Sequence, residues 1–494
     1  MLAVLGLCAA AHAEGPPRAD EYRPLLSQRF KDVELQVPIL LAARSEGVNG
    51  FPVDRDLHAF RSGLALSPLV RVGVRLESVV PLAGKFPVLL EYEHDLPTGT
   101  VTSETPIAGE GLPNSTPLTT QLRKAWGRFS IGPYLHLGGG FMTSHWGLGL
   151  VANDGAHRWE PGSARFTDPR GGDLVTRAFI GTGPLTSARL TSAFAVEQVR
   201  SDNALLAGDS AYQLIATLLV GQERPTQAGY FFVHRHQSTA DGRVLDVNVA
   251  DIAGKTVIDL HTAKLTLEAE SALVFGKTTL AASPEIPRSD VLQLGAAVRA
   301  SLAFERVGGV LDLLYASGDG NTHDAHINGF HADPNFETGL LLFRYVQAAQ
   351  TGRGYGTGAD PQLSGAPPAG IERVPTRGGL TNAVVAFPRV WVRPVRGVET
   401  YGGVLFAFAP AKNVDPFNTD VAGGSPRNAI NGAPGSYWGT EIDLGMRYRK
   451  YIQHTELTFG TELGVLFPGS ALGGVAGYTA EPVYGGRLMV GYRL

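Results

Sequence analysis

Residues 437–494 alternate apolar and polar side chains with a period of two in three successive segments, a pattern that constrains this chain more than any other feature. In 441–450, Ile442, Leu444, Met446 and Tyr448 share one face, while Glu441, Asp443, Arg447 and Arg449 share the other. That is a strand whose two faces meet different surroundings. In 456–467, Leu457, Phe459, Leu463, Val465 and Phe467 oppose Glu456, Thr458, Gly460, Glu462 and Gly464. The closing segment sets Tyr484, Leu488, Val490, Tyr492 and Leu494 against Arg487 and Arg493. A strand that runs to the last residue needs a neighbour, in a soluble sandwich or across the seam of a closed barrel. Either way the charges set the register, because an arginine facing lipid at mid-depth costs roughly 2–4 kcal/mol.

Composition separates the two solvents. Charged residues are 18% of the 494, glycines number 62, and past the N-terminus no apolar run is long enough to cross a membrane as a helix. A chain of this length makes several soluble domains or one large barrel, and the low charge with persistent alternation favours the barrel. The fold expected is all-β, a single transmembrane antiparallel β-barrel of about 18 strands, within 16 to 20, since bacterial single-chain barrels use even numbers. A net charge of -4 and a pI near 6.4 supply no basic stripe, so nucleic acid is not an expected partner.

The apolar segment 2–10, followed by Ala11-His12-Ala13, has the form of an export signal over residues 1–13. Its removal takes away Cys8, the chain's one cysteine, and with it any disulfide, thiolate zinc site or cysteine nucleophile. Residues 14–31 are polar and proline-bearing, a mobile leader, and 32–494 form the barrel. Alternation is clear at 70–79, where Val70, Val72, Val74 and Leu76 oppose Arg71, Arg75 and Glu77, and at 87–94, where Glu91 and Glu93 share a face. Strands are expected again over 190–200, 211–220, 229–237, 243–250, 264–275, 292–304 and 309–316, with Glu268, Glu270, Arg299 and Asp312 on polar faces. Residues 319–335, 352–377 and 412–436 are rich in Gly, Pro, Asn and Asp and read as long loops. With the C-terminus at the periplasmic rim, the loops before Val483, Tyr437 and Thr381 lie outside and strict alternation puts 319–335 inside. Either a strand is unread there or that loop folds back as a plug. No long amphipathic helix is expected.

Tyr315-Ala316-Ser317-Gly318-Asp319-Gly320-Asn321, followed by Asn335-Phe336 and an apolar strand, resembles the alginate-export family of outer-membrane porins. Gly439-Thr440-Glu441-Ile442-Asp443-Leu444 with Phe467-Pro468-Gly469 is similar to the same family. The resemblance implies a barrel in the cell outer membrane, in contact with its lipid bilayer and delivered by the barrel-assembly machinery through the C-terminal strand. It also implies passive passage of a polar solute, a small molecule or an anionic saccharide. One departure counts against a polysaccharide, whose conduit needs a strongly basic lumen. Here Arg71, Arg75, Arg299, Arg389, Arg393, Arg447, Arg449 and Arg487 are offset by Glu77, Glu91, Glu93, Glu268, Glu270, Asp312, Glu441, Asp443, Glu456 and Glu462. These charges either pair between neighbouring strands, the favoured reading, or form a selectivity ladder with a basic wall at Arg389, Arg393, Arg447 and Arg449.

His323, His326 and His331, beside Asp319 and Asp324, have metal-ligand chemistry, but an EF-hand pattern fails at Phe330, and a His-rich polar loop is favoured with no metal or cofactor expected. His234 and His236 share a strand face and read as structural or lumen-lining. Ser144 and His145 are adjacent, so on a strand they point apart, which spoils a nucleophile and base contact, and no enzyme is expected. Gly138 to Gly140 lack the lysine of a phosphate loop and read as a bend or bulge. Two rivals to a channel remain: a non-conducting surface-display barrel, and a secreted soluble all-β carbohydrate-binding protein with the two faces exchanged.

Overall fold

The computed structural model describes residues 25–494 apart from 31, 61–63, 79–86, 103–117, 157–159, 163–170, 323, 366–368, 453 and 475–479. The export signal, leader residues 14–24 and His323 lie outside the described residues. Period-two alternation builds eighteen strands that close into one antiparallel barrel. They are β1 (Ile39–Val48), β2 (Ala65–Ser78), β3 (Val88–Thr98), β4 (Thr119–Ile131), β5 (Leu135–Thr143) and β6 (Leu174–Leu185). Next come β7 (Leu190–Ser201), β8 (Ser210–Val220), β9 (Gln227–Ser238), β10 (Val244–Asp259), β11 (Lys264–Thr278) and β12 (Ser289–Ala303). The last are β13 (Val307–Ala316), β14 (Ala383–Val392), β15 (Val398–Phe408), β16 (Tyr437–Ile452), β17 (Thr455–Pro468) and β18 (Val483–Arg493). Each pairs with the next, and β18 returns to β1 with Leu488 opposite Ser45, Val490 opposite Ala43 and Tyr492 opposite Leu41. Leu494 and Ile39 exchange backbone hydrogen bonds of 2.8 and 3.1 Å, which completes the seam.

The apolar face is the outer one. Leu444, Leu463 and Leu488 are 57%, 61% and 51% exposed, whereas Arg71, Arg299 and Arg447, one face away, are 8%, 7% and 0% exposed. A soluble sandwich would reverse this, so the soluble carbohydrate-binding alternative is excluded by the direction of the side chains. Short turns at 132–134, 186–189, 260–263, 304–306 and 393–397 gather at one rim with the two ends of the barrel. The opposite rim carries the long connections 144–173, 317–382 and 409–436.

Three sequence expectations change. The leader is shorter than 14–31: Leu26–Phe30 pairs with Val33–Val37, which in turn pairs with the end of β2. β18 stops opposite Ile39, so Val33–Val37 would otherwise present an open edge, and Leu26–Phe30 covers it. A strand unread between 172 and 190 is β6, and 119–143 holds two strands joined by a tight turn.

The third change bears on function. Residues 319–335 and 352–377 belong to one connection between neighbouring strands β13 and β14, so both start from the long-loop rim, opposite the one that holds the two ends of the barrel. The apolar strand expected after Phe336 is a π-helical stretch, Leu342–Gln347, that continues as the α-helix α1 (Ala348–Gly358). Its first part is buried on all sides inside the barrel, so it shows no polar stripe, and an apolar run of that kind reads equally as strand or helix. The fold-back anticipated for this region occurs, from the opposite rim. The apolar core accordingly lies within the barrel, where Trp146, Leu150, Phe330, Phe336, Leu340 to Phe343 and Tyr345 pack on inward residues such as Phe231, Leu405 and Trp438.

Candidate functional site

The site is the lumen, and its chemistry starts from inward arginines and carboxylates placed at alternate positions of the strands. Arg71 on β2 holds Asp95 on β3 through two hydrogen bonds of 2.5 and 2.8 Å and lies 3.5 Å from Glu93. Arg75 reaches Glu77 at 2.7 Å and Glu91 at 2.8 Å, and Glu268 reaches Lys255 at 3.1 Å. Further round, two buried carboxylates, Asp312 and Glu462, each sit between two guanidiniums. Asp312 accepts from Arg299 at 2.7 and 3.2 Å and also from Arg389, while Glu462 accepts from Arg447 at 3.0 Å and also from Arg487. Such sharing satisfies the carboxylate lone pairs, and with Glu160 on Arg299 and Glu337 on Arg487 the four guanidiniums of this wall meet four carboxylates.

The four arginines expected as a basic wall are brought to one side but are not bare. Arg389 and Arg447 are engaged as above, and Arg393 reaches Glu399 at 3.1 Å with its guanidinium 4.6 Å from the Trp391 ring centre. Arg449 stacks at the rim, 5.4 Å from the Tyr451 ring centre. Glu456 reaches Arg493 at 3.5 Å. Asp443 is buried beside Glu441 and within reach of Leu340 and Leu341 of the inward segment.

Two of the predicted residues do something that strand periodicity does not reveal. Glu441 on β16 accepts backbone N–H groups from three successive residues, Leu340, Leu341 (2.9 Å) and Leu342 (2.7 Å), at the start of the helical segment. Those N–H groups have no partner within a helix, so one wall carboxylate satisfies three orphan donors and fixes where the helix enters. The chain makes this turn at Gly339, whose φ of +66° and whose missing side chain, 2.7 Å short of Glu441, both require glycine. Glu270 on β11 plays the same part for the other long loop, accepting from the backbone of Leu148 and of Leu150 (3.1 Å). Beside it Trp146 donates to Asp251 at 2.9 Å and stacks on Phe231 with ring centres 5.0 Å apart.

The described parts of 144–173 and 317–382 thus span the lumen. The first ties across to Arg299 through Glu160 (3.0 Å), to Arg447 through the Glu160 carbonyl (3.2 Å) and to Glu399 through the Gly162 N–H (3.1 Å). The second is held by Arg344 to Glu46 (3.2 Å) and Glu337 (2.9 Å), by Glu337 to Arg487 (3.0 Å), by Arg353 to Asp54 (2.8 Å) and by Arg373 to Asp209 (2.8 Å). Between the loops and the wall formed by β1, β3, β4 and β7 remains a cavity of about 290 Å³. Arg44, Arg344 and Arg377 line it together with Asp173, Asp202, Asp333 and Glu337, and threonine and asparagine groups fill in between.

Sequence reading missed Glu46, Glu337 and Arg344. Arg44 and Glu46 carried a usable signal, two charges at i and i+2 in a strand, with Ser45 between them and Ala43 before. Arg344, alone in an apolar run, carried none that pointed to Glu46. The histidines part company: His234 and His236 project outward rather than into the lumen, near Asp246 at 3.9 and 3.8 Å. They point outward because Arg235 and Gln237, their neighbours in the alternation, are the buried ones. Burial pushes the His331 imidazole down to about 4, while His326 stays exposed. Among the described residues the side chains that come close enough for a metal are Asp54, Asp56 and His58, and Arg353 already occupies Asp54. Ser144 accepts from Arg177 at 2.9 Å. Gly138 to Gly140 lie within β5, where Phe179 and the β4 backbone leave no room for side chains.

A barrel apolar outside, charged within and narrowed by loops folded inward is the architecture of a bacterial outer-membrane porin. No protein-family model matches the chain, and no curated protein does. Among solved structures it is similar to OccK5 (OpdH) of Pseudomonas aeruginosa, with 11% identity and a TM-score of 0.51 over 93% of this chain and 98% of that one. It is similar to OccAB1 of Acinetobacter baumannii, with 8% identity and a TM-score of 0.51 over 96% and 99%. It is also similar to OccK2 (OpdF) of Pseudomonas aeruginosa in complex with glucuronate, with 11% identity and a TM-score of 0.50 over 93% and 98%. At such identity the likeness is one of fold: an 18-stranded barrel of the outer-membrane porin kind.

Proposed function

We propose that this protein is a substrate-selective outer-membrane channel through which small polar solutes pass passively, sorted at the narrowing made by residues 144–173 and 317–382. The observation that carries this reading is the tethering of both loops to wall carboxylates, Glu270 and Glu441, around a polar cavity of about 290 Å³. That volume is at the lower end of small-molecule sites, about 300–1,000 Å³. A monomeric sugar acid suits it in size, and Arg44, Arg344 and Arg377 in its lining can meet a carboxylate; OccK2, of the same fold, has been solved with glucuronate. The alginate-export resemblance supports the saccharide class through its motifs, but a polymer chain is disfavoured by the narrow lumen. The lumen charges then act in two ways, Glu270 and Glu441 positioning the loops and Arg44, Arg344 and Arg377 of the cavity lining meeting an anionic group of the solute.

Purified protein in a planar bilayer should give discrete conductance steps, and proteoliposomes should swell faster in uronate monosaccharides than in their oligomers. Silence at all voltages from correctly folded barrel would sink the channel reading. A specific observation favours one rival, a closed barrel with a display role: two loops, not one, fill the lumen. That rival predicts silence from the full chain and conductance once residues 342–377 are removed.

A further inference from the structure

Two lumen loops meet at a pair of carboxyl groups that the channel reading leaves unused. Asp173 ends residues 144–173 and Asp333 lies in 317–382; both are over nine-tenths buried, both line the 290 Å³ cavity, and their side chains are within hydrogen-bonding reach of one another. The backbones around them are also joined. Asp333 N–H donates to the Leu150 carbonyl at 2.9 Å across the two loops, while within the first loop Asn153 N–H donates to the Asp173 carboxylate at 3.2 Å. Asn335 donates twice to Asp333, at 2.7 and 3.0 Å. Two carboxyl groups can hydrogen-bond only while a proton is shared between them; with both charged, they repel at short range in a partly dry site.

We propose that the Asp173 and Asp333 carboxyl pair is a proton-operated latch joining the two lumen loops, shut while the pair shares a proton and released when both carboxylates are charged. The charged groups that face it have other partners or sit in opposing pairs. Asp202 is engaged by Arg235, Arg344 by Glu337 and Arg44 by Glu46, while Arg377 donates to the Asn203 carbonyl. Each of these arginines thus has a carboxylate or carbonyl partner outside the pair. Burial pushes Asp333 up to about 7, and burial with Asp333 and Asp202 alongside holds Asp173 well above the ordinary carboxylate range. Groups that bind protons more tightly with the loops joined strengthen the joint at low pH. The latch is therefore firmest below the ordinary aspartate value of about 3.9 and loosens as pH rises through about 7.

The electrical readout rests on the channel reading, so a second readout is needed. Single-channel conductance of the full-length protein should rise between pH 5 and pH 9, and the Asp173→Asn, Asp333→Asn double variant, which keeps hydrogen bonding without titration, should stay flat at the low-pH level. In parallel, a thiol reagent on Pro334→Cys, a buried cavity position, reports loop separation with or without conduction. Its labelling rate, divided by that of the same cysteine in the double-asparagine background, should rise about tenfold for each pKa unit by which the joint shifts its aspartates. An unchanged ratio across this pH range overturns the latch, as does a double variant that keeps the wild-type pH response. A silent protein whose labelling ratio still rises refutes the open channel and supports the latch.

Discussion

Asp312 shows how much one carboxylate carries in this lumen, because two buried guanidiniums, Arg299 and Arg389, depend on it. Asp312→Ala would strip Arg389 of its carboxylate and leave Arg299 with Glu160, at a cost of about 3–5 kcal/mol. Urea unfolding in detergent, followed by gel mobility, should show that loss, while Asp312→Asn should fall between the variant and the native protein. Glu441 carries a different burden. Glu441→Ala strands three backbone donors, each costing about 1–3 kcal/mol if it stays buried, so the helical segment should leave the wall instead. Single-channel conductance should then increase, with Glu441→Gln in between because it retains one acceptor oxygen. On the outer face the same strand gives the opposite test. Leu444 sits mid-strand and 57% exposed, and Leu444→Arg should cost roughly 2–4 kcal/mol in lipid vesicles, as read from unfolding titrations.

At the scale of elements, the strands and the inward loops are held by different forces. A strand is fixed by its neighbours' backbone groups and by lipid, whereas residues 317–382 are held by ion pairs to Glu46, Asp54, Asp209 and Arg487 and by Glu441. Replacing residues 342–377 by a short Gly-Ser linker should therefore leave the barrel folded and its heat-modifiable gel mobility intact, while conductance rises and discrimination among solutes falls. If the barrel fails to fold, the segment is part of the core on which the strands assemble, and the separation of roles is wrong. The same segment explains why a deletion of 352–377, which reads from sequence as trimming an external contact surface, would instead empty part of the lumen.

The whole molecule is a ring that closes on itself, with its apolar atoms turned both ways: a lipid-facing band outside and a second apolar core around the inward loops, over a charged remainder of the lumen. Strand rhythm made the ring legible before any coordinates, since a period of two is local and each inward arginine declares its face; the segments at 441–450, 456–467 and 484–494 run where their alternation places them, and the number of strands near 18 follows from their repetition. The lumen-facing side of Arg71, Arg299 and Arg447 was readable for the same reason. What those residues touch was not. Glu441 meets Leu340 to Leu342 and Glu270 meets Leu148 and Leu150 across more than ninety positions of chain, and Asp173 meets Asp333 across more still, so no local pattern encodes the contact. Residues 340–347, apolar but for Arg344 and Gln347, gave no period because every side of that turn is buried, and burial on all sides exists only once a barrel surrounds it. Short-range alternation thus dictates which way a side chain points, through the cost of placing charge in oil, while closure of the ring determines what it finds there.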